Sequence, residues 1–129
     1  MGVSDMAGTE FQRQGASHAA LAALPVPIYI TDANGTITFF NEAAIRFWGR
    51  RPEIGKEKWT GAWRLFHPDG TPRPLSDGPM AHLLGTGMAS PSGEAMLERP
   101  DGSRVWFRSH PTPLYDDEGR LTGAVNLML

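Results

Sequence analysis

The chain has 129 residues, of which 40% are hydrophobic and 20% are charged, and this is the length and composition of one soluble globular domain. Its net charge of −2 lacks the basic excess that binds phosphate backbones, so we expect no nucleic-acid partner. The absence of cysteine excludes disulfides, thiolate nucleophiles and cysteine-ligated metals, and it fits a cytoplasmic location. The longest uncharged stretch near the N-terminus, Gln14 to Thr31, contains two prolines and is too short to span a bilayer, so we expect no membrane insertion.

Two N-terminal segments precede the predicted domain. Residues 1–16 show no periodicity, and we interpret them as a disordered leader. Residues 17–24 predict a flanking helix in which Ala20, Leu21 and Leu24 share one face. This face packs either back onto the domain or against the same helix of a second copy, so the three residues form the candidate dimer interface. The domain itself is predicted over residues 25–129.

The domain begins with a predicted β-hairpin that is followed by a helix. From Ile28 the pattern has a period of two, which predicts a strand that ends at Asp32. A turn through Gly35 leads to a return strand rich in β-branched and aromatic residues. Asn41 then provides an N-cap for a helix that Gly49 closes.

The middle of the chain is predicted to be largely irregular. Arg50 to Ser76 has aromatic residues scattered among glycines and prolines, and long irregular segments of this kind tend to be lids or binding elements. A short helix follows, with Pro79 in its first turn, and Gly85 and Gly87 are predicted to stop it.

The last third of the chain predicts a meander of three strands, over residues 94–99, 104–115 and 121–129. Pro111 and Pro113 predict a bulged or frayed stretch in the second of these strands, because proline has no N–H to donate to a neighbour. The predicted order is β-β-α-loop-α-β-β-β. This order favours an α+β fold with one antiparallel sheet and helices on one of its faces.

A series of motifs follows along the chain: Tyr29-Ile30-Thr31-Asp32 with Gly35, Ile37-x-Phe39-x-Asn41, Trp48-Gly49, Trp63-Arg64-Leu65 with Pro68-Asp69-Gly70-Thr71-Pro72, the helix from Pro79 to Gly87, Glu98-Arg99-Pro100-Asp101-Gly102-Ser103, Pro113-Leu114, Gly119 and Leu121-x-Gly123. In this order they resemble the PAS domain family. The resemblance covers Leu24 to Leu129, and it is strongest to the sensory PAS modules of bacterial signalling proteins such as sensor histidine kinases.

The resemblance implies a fold and a general function. The implied PAS fold is a five-stranded antiparallel sheet of order 2-1-5-4-3, with short helices on one face, an N-terminal flanking helix and a small cavity between sheet and helices. The implied function is that of a sensory module, which binds a small ligand or a partner and transmits a conformational change to an effector such as a histidine kinase. In this family the flanking helix commonly mediates homodimers.

Apolar residues are the candidate lining of that cavity. If the alternation along the strands holds, the following converge between sheet and helices, with the last as a lid: Ile30, Phe39, Ile45, Met80, Leu84, Met96, Val125 and Trp63. The alternative is that the same residues simply fill the core.

Two cofactors are implied by members of the resembled family. His82 falls on the helix that carries the proximal haem ligand in haem-binding members, so it is the candidate haem ligand; the alternative is an ordinary surface or core histidine. Flavin-cysteine photochemistry is excluded because the chain has no cysteine, whereas a flavin held for redox sensing stays open.

Two other functions remain as alternatives. The first is a ligand-free PAS module for dimerisation or protein interaction. The second is a small cone-shaped α+β enzyme of the isomerase type, in which Asp32 or His110 would act as the base. The chain has neither a catalytic motif of the known hydrolases nor a glycine-rich phosphate-binding loop. None of its four histidines is spaced from another by three or four residues, the spacing that would place two metal ligands on one helix face. We therefore predict that it is not an enzyme and holds no metal.

Overall fold

The computed structural model describes residues 19–88 and 94–129. The predicted leader and the first two residues of the predicted flanking helix lie outside these ranges. Within them, helix α1 covers residues 19–23, α2 covers Glu42–Trp48 and α3 covers Pro79–Thr86, with a 3-10 turn at Leu75–Asp77 just before α3. The described strands are β1 Ile28–Asp32, β2 Ile37–Phe40, β3 Arg64–Phe66, β4 Pro72–Arg73, β5 Glu94–Glu98, β6 Arg104–Tyr115 and β7 Leu121–Met128.

The described strands form one antiparallel sheet of order β2-β1-β7-β6-β5-β3-β4. The five predicted strands correspond to β1, β2, β5, β6 and β7, and their order in space is the predicted 2-1-5-4-3. The expected number of five strands is corrected to seven, because a hairpin of β3 and β4 extends the sheet beyond β5. This hairpin lies in the segment predicted to be irregular, and its strands of three and two residues are too short to show a period.

Asn41 anchors three segments at the start of α2. Its Oδ1 accepts the N–H of Ala44 at 2.9 Å, as the predicted N-cap should, and also the N–H of Ile28 at 3.2 Å. Its Nδ2 donates to the carbonyls of Leu21 and Val26 at 3.0 and 2.8 Å. One buried side chain therefore joins the flanking segment, β1 and α2.

Glycines end the two longer helices, although one of the glycines predicted to do so does not. Gly49 and Gly87 have φ of 73° and 75° and cap α2 and α3 in the left-handed conformation. Gly85 was expected to help stop α3, but it lies inside the helix. A glycine within a helix lowers helix propensity without ending the helix, and the helix ends two residues later at the Gly87 cap.

The prolines of β6 are accommodated without ending the strand. β6 pairs with β5 only over residues 104–108 and with β7 over residues 109–115. Pro111 and Pro113 thus lie where β6 has no neighbour on the β5 side, so their missing N–H groups cost no hydrogen bond there. The irregularity predicted at the prolines is displaced to the pair Leu114 and Tyr115.

The helices pack on one face of the sheet and enclose the core. Trp48 of α2 is fully buried, and its ring makes edge contacts with Tyr29 of β1 at 5.2 Å and Phe40 of β2 at 6.0 Å between ring centroids. Met80 and Leu83 of α3 are buried in the same cluster. We call the sheet face that carries Tyr29 and Phe40 the inner face.

Candidate functional site

Four of the predicted pocket residues lie on the outer face of the sheet. Residues that lie opposite each other in antiparallel strands point to the same face of the sheet, and successive residues along one strand point to opposite faces. Ile30 is opposed to Phe39 and to Val125, and it follows Tyr29 of the inner face, so these three side chains belong to the outer face. Met96 also lies between two buried residues of the inner face in β5. The expectation that these four converge between sheet and helices is therefore wrong.

The other four predicted pocket residues have different surroundings. Met80 is buried and lines the interior. Leu84 packs against the core cluster from α3, and Ile45 is partly buried on α2. Trp63, the expected lid, is 40% exposed and lines a separate groove along the β3–β4 hairpin. Of the eight predicted residues, Met80 alone lines the interior void described next.

The described residues enclose a small void between the inner face and the helices. Its volume is about 10 Å³, which is room for about one water molecule. β1, β3, β6 and β7 contribute its floor, and residues 59–60, 75 and 78–80 contribute its roof. No residue that lines it carries a charge.

A buried trio of polar side chains lies beside this void: Tyr29, Ser109 and Asn126. The Tyr29 hydroxyl donates to the carbonyl of Trp59 at 2.7 Å. Asn126 Nδ2 lies 3.4 Å from the Tyr29 hydroxyl and 3.3 Å from Ser109 Oγ, and its Oδ1 accepts the N–H of His110 at 3.0 Å. The trio thus joins three strands through side-chain hydrogen bonds. The sequence pattern predicted that these residues lie in strands, but it did not predict a polar role for them.

Burial changes the acidity of the tyrosine in this trio. Desolvation raises the pKa of Tyr29 to about 12, and the hydrogen bonds with Asn126 and Thr60 offset only part of that effect. At neutral pH Tyr29 is therefore a neutral group, with its proton directed at the Trp59 carbonyl.

Trp59 covers the void in a strained backbone conformation. It has φ of 74° and is the one non-glycine residue with positive φ in the described part of the chain. Its N–H donates to the carbonyl of Gly35 at 2.7 Å, and a Cβ at Gly35 would overlap the indole ring. Trp59 was not among the residues that the sequence pattern predicted for the site. The available signal was Gly35, whose missing side chain makes room for the ring.

The residues considered for catalysis and for haem lie away from the void. His82 and His110 are exposed, on α3 and β6. The carboxylate of Asp32 accepts the N–H groups of Asn34 and Thr36 at 2.9 and 3.0 Å, which is a turn-forming role. In the described ranges, no three His, Asp or Glu side chains are grouped to hold a metal ion.

The interior fits neither of the cofactors that members of the resembled family hold. A haem or a flavin needs a cavity of several hundred Å³, whereas the void has about 10 Å³. His82 is exposed on α3, while Met80 and Leu83 provide the buried side of that helix. In this conformation the described residues accommodate neither group.

The predicted dimer residues are partly accessible on α1 and just after it. Ala20 is exposed, Leu24 is 43% exposed and Leu21 is half-buried. The apolar face of this segment is therefore only partly covered by the domain. No helix in residues 19–88 and 94–129 has the length and hydropathy to cross a bilayer.

The fold is an α+β module whose helices enclose an interior on one face of the sheet, and the comparisons identify its family. The profile of the PAS domain family matches residues 25–128, and the chain belongs to this family. PAS domains are sensory and typically non-enzymatic modules, and the chain is a sensory module in this general sense. No curated protein matches the chain.

Solved structures confirm the fold at low sequence identity. The PAS domain of the fruit-fly ELK potassium channel has a TM-score of 0.69 and 13% identity, covering 90% of this chain and 94% of that one. A PAS domain from Colwellia psychrerythraea has a TM-score of 0.58 and 17% identity, with coverages of 92% and 95%. An RNA-binding light-oxygen-voltage receptor has a TM-score of 0.62 and 18% identity; the match covers 90% of this chain but spans only 32% of the receptor.

Proposed function

We propose that this PAS domain is a cytoplasmic sensory module that receives a small neutral ligand in its interior and transmits the change to an effector such as a histidine kinase. The observation that carries the proposal is the buried trio of Tyr29, Ser109 and Asn126 beside the void. Burying polar groups is costly unless they are hydrogen-bonded, and such groups in a pocket give orientation and specificity to a ligand.

The lining of the void favours an uncharged ligand. A charged ligand would lose its hydration there without gaining an opposite charge, because every lining residue is neutral. A ligand with an apolar body and one or two hydrogen-bonding groups fits these surroundings.

Entry of a ligand requires displacement of the Trp59 segment. The void has room for one water molecule, so a larger molecule needs the space that Trp59 and the residues beside it occupy. The strained backbone of Trp59 is held by its hydrogen bonds with Tyr29 and Gly35. A ligand that takes over the Tyr29 hydroxyl removes one of these bonds, and the backbone strain then favours release of the segment.

The strand that carries Asn126 is the proposed route of the signal. β7 lies between β1 and β6 and contributes Asn126 to the trio. A ligand that changes the hydrogen bonds of Asn126 therefore acts on β7 directly, and an effector joined after β7 would receive the displacement.

Two measurements test the proposal. Native and denatured mass spectra of the purified protein, with an absorption spectrum of the same sample, detect a ligand that co-purifies. NMR spectra with benzamide, and with benzoate as its charged counterpart, then test the interior itself. Trp59→Gly removes the covering ring and suits positive φ, and Trp63→Gly is the matched control outside the void.

We expect benzamide to shift the side-chain amide signal of Asn126, more strongly in Trp59→Gly than in the wild type or in Trp63→Gly, and benzoate to leave it unchanged. The proposal fails if no mass is lost on denaturation and neither probe moves the Asn126 signal in any of the three proteins. Equal shifts with benzoate would contradict the neutral-ligand part. An absorption band of haem or flavin would show that the interior opens far beyond this conformation.

The second candidate function is a ligand-free interaction module that holds two chains together. The nearly filled interior and the partial exposure of Ala20 and Leu24 favour it. Light scattering over a range of concentrations would show a dimer, and Leu24→Glu should shift it towards monomer. A monomer at all concentrations would remove this candidate.

A further inference from the structure

The β3–β4 hairpin forms a surface groove that is separate from the interior. The groove has a volume of about 390 Å³ and is lined by residues 63–66 and 72–75. It lies at the edge of the sheet, because β4 is the outermost strand on that side. Its volume falls within the range of sites that bind ligands or single side chains of a partner.

The groove offers side chains and not backbone for recognition. Pro72 lies in β4 and Pro74 follows it, and neither has an N–H with which to extend the sheet. Trp63 is 40% exposed, and Phe66, which is largely buried, lies behind it in the lining together with Pro72, Pro74 and Leu75. A partner therefore meets an apolar, partly aromatic surface.

Two arginines stack on these aromatic rings and share one carboxylate. The guanidinium carbon of Arg64 lies 4.1 Å from the centroid of the Trp63 ring, and that of Arg104 lies 4.3 Å from the centroid of Phe66. Both reach Glu98, at 3.4 Å from Arg64 and 2.9 Å from Arg104. Stacking on the rings holds both guanidinium groups in place. The single negative charge of Glu98 balances only one of the two arginine charges.

A third arginine on the groove has no carboxylate partner. Arg73 Nε donates to the carbonyl of Asp77 at 2.9 Å, and no carboxylate of the described residues lies within 4.0 Å of its guanidinium. The carboxylate of Asp69, at the hairpin tip, is bound to Thr71 through its N–H and its hydroxyl, at 2.9 and 2.6 Å. The residues that line the groove include two arginines and no Asp or Glu, so the lining is positive on a chain with a net charge of −2, while Asp69 and Asp77 lie outside the lining.

We propose that this groove binds an extended acidic peptide segment of a partner protein, in which apolar side chains are flanked by Asp or Glu. The apolar side chains would pack on Trp63 and Phe66, and the carboxylates would accept hydrogen bonds from Arg64 and Arg73. An open groove that is lined by the exposed Arg64 and the half-buried Arg73 suits a long ligand that extends past both ends better than an enclosed small molecule. This charge complementarity sets the partner's chemistry.

Calorimetric titration with two synthetic peptides tests the proposal. The probe is a blocked hexapeptide with leucine and phenylalanine at its centre and two glutamates on each side; the comparison peptide has glutamine in place of every glutamate. The test variant is R64Q/R73Q. The matched control is R46Q/R120Q, which removes the same charge from two exposed positions outside the groove.

The glutamate peptide should bind the wild type, and R64Q/R73Q should weaken binding by about threefold to tenfold, which corresponds to the loss of two charged contacts that solvent partly screens. The control variant should bind as the wild type does, and added salt should weaken binding. Amide NMR shifts of the wild type should map to residues 63–75. The proposal is overturned if the glutamine peptide binds equally well, if the control loses as much affinity, or if the shifts map elsewhere or are absent at millimolar peptide. The salt and NMR measurements use the wild type, so they hold even if R64Q/R73Q does not fold.

Discussion

Raising the pH above 10 should destabilise the domain through Tyr29. The pKa of Tyr29 is about 12 in the fold and about 10 in a hydrated chain. Below pH 10 both states keep the proton, so the contribution of this group to stability is fully present. Between pH 10 and 12 the unfolded chain ionises first, and the contribution is lost as the pH rises through the folded-state pKa.

The size of the effect follows from the difference in pKa. A shift of about two units corresponds to about 3 kcal/mol over the whole window, and about 2 kcal/mol of this is lost by pH 11.5. A small domain is stabilised by about 5–15 kcal/mol in total. The loss is therefore large enough to move a denaturation midpoint clearly.

The assay compares urea denaturation between pH 9 and 11.5 for the wild type, Tyr29→Phe and Tyr115→Phe. These are the two tyrosines of the chain, and Tyr115 is exposed at 56%. Tyr29→Phe should lose about 1–2 kcal/mol at neutral pH, because the Trp59 carbonyl loses its donor. Above pH 10 the wild type and Tyr115→Phe should fall by about 2 kcal/mol more than Tyr29→Phe.

A single result would refute this reasoning. If Tyr29→Phe loses stability with pH as steeply as the wild type, the hydroxyl is hydrated in the folded state. Burial would then not raise the pKa of Tyr29, and the conclusion that the interior beneath Trp59 is closed to water would be wrong.

Four further substitutions test the local arguments by urea denaturation or NMR. Asn41→Ala should cost about 3 kcal/mol, since it removes an N-cap and leaves buried groups without partners. Gly123→Ala should cost about 3–5 kcal/mol, because its Cβ would overlap a β1 carbonyl oxygen, whereas Gly85→Ala, a helical site with open space, should stabilise by about 0.5–1 kcal/mol. Ser103→Ala should raise the pKa of Asp101 towards its ordinary value, because the Ser103 side chain is the main cause of its lowered pKa; an unchanged NMR titration would contradict this.

The prediction from the sequence was wrong about which side of the sheet faces the helices. Ile30 and Val125 are more apolar than their neighbours Tyr29 and Asn126, so a period of two favours the aliphatic set as the core. In the fold the aliphatic set lies on the outer face, where it is still half-buried, while the inner face carries the polar trio. When both faces of a strand are partly apolar, the pattern predicts the strand but not the side that the helices cover.

The β3–β4 hairpin and Trp59 also depend on contacts that are distant in sequence. β3 has a strand partner because β5 lies beside it, some thirty residues later in the chain. Trp59 keeps a positive φ because Gly35 leaves room for its ring and Tyr29 binds its carbonyl. No local propensity predicts either feature, since each is stabilised by groups from another element.

The sequence by itself determined the order of the five predicted strands and the helices, the turns between strands, and the two caps of α2. Gly35, Gly102 and Gly119 adopt the positive φ that their turns require, and Asn41 and Gly49 cap α2 through bonds within a few residues. These features rest on local hydrogen bonds and backbone sterics, which a short stretch of chain decides alone. Only the tertiary structure decided which sheet face became the interior, because that choice depends on which apolar and polar groups the helices and distant strands bring together.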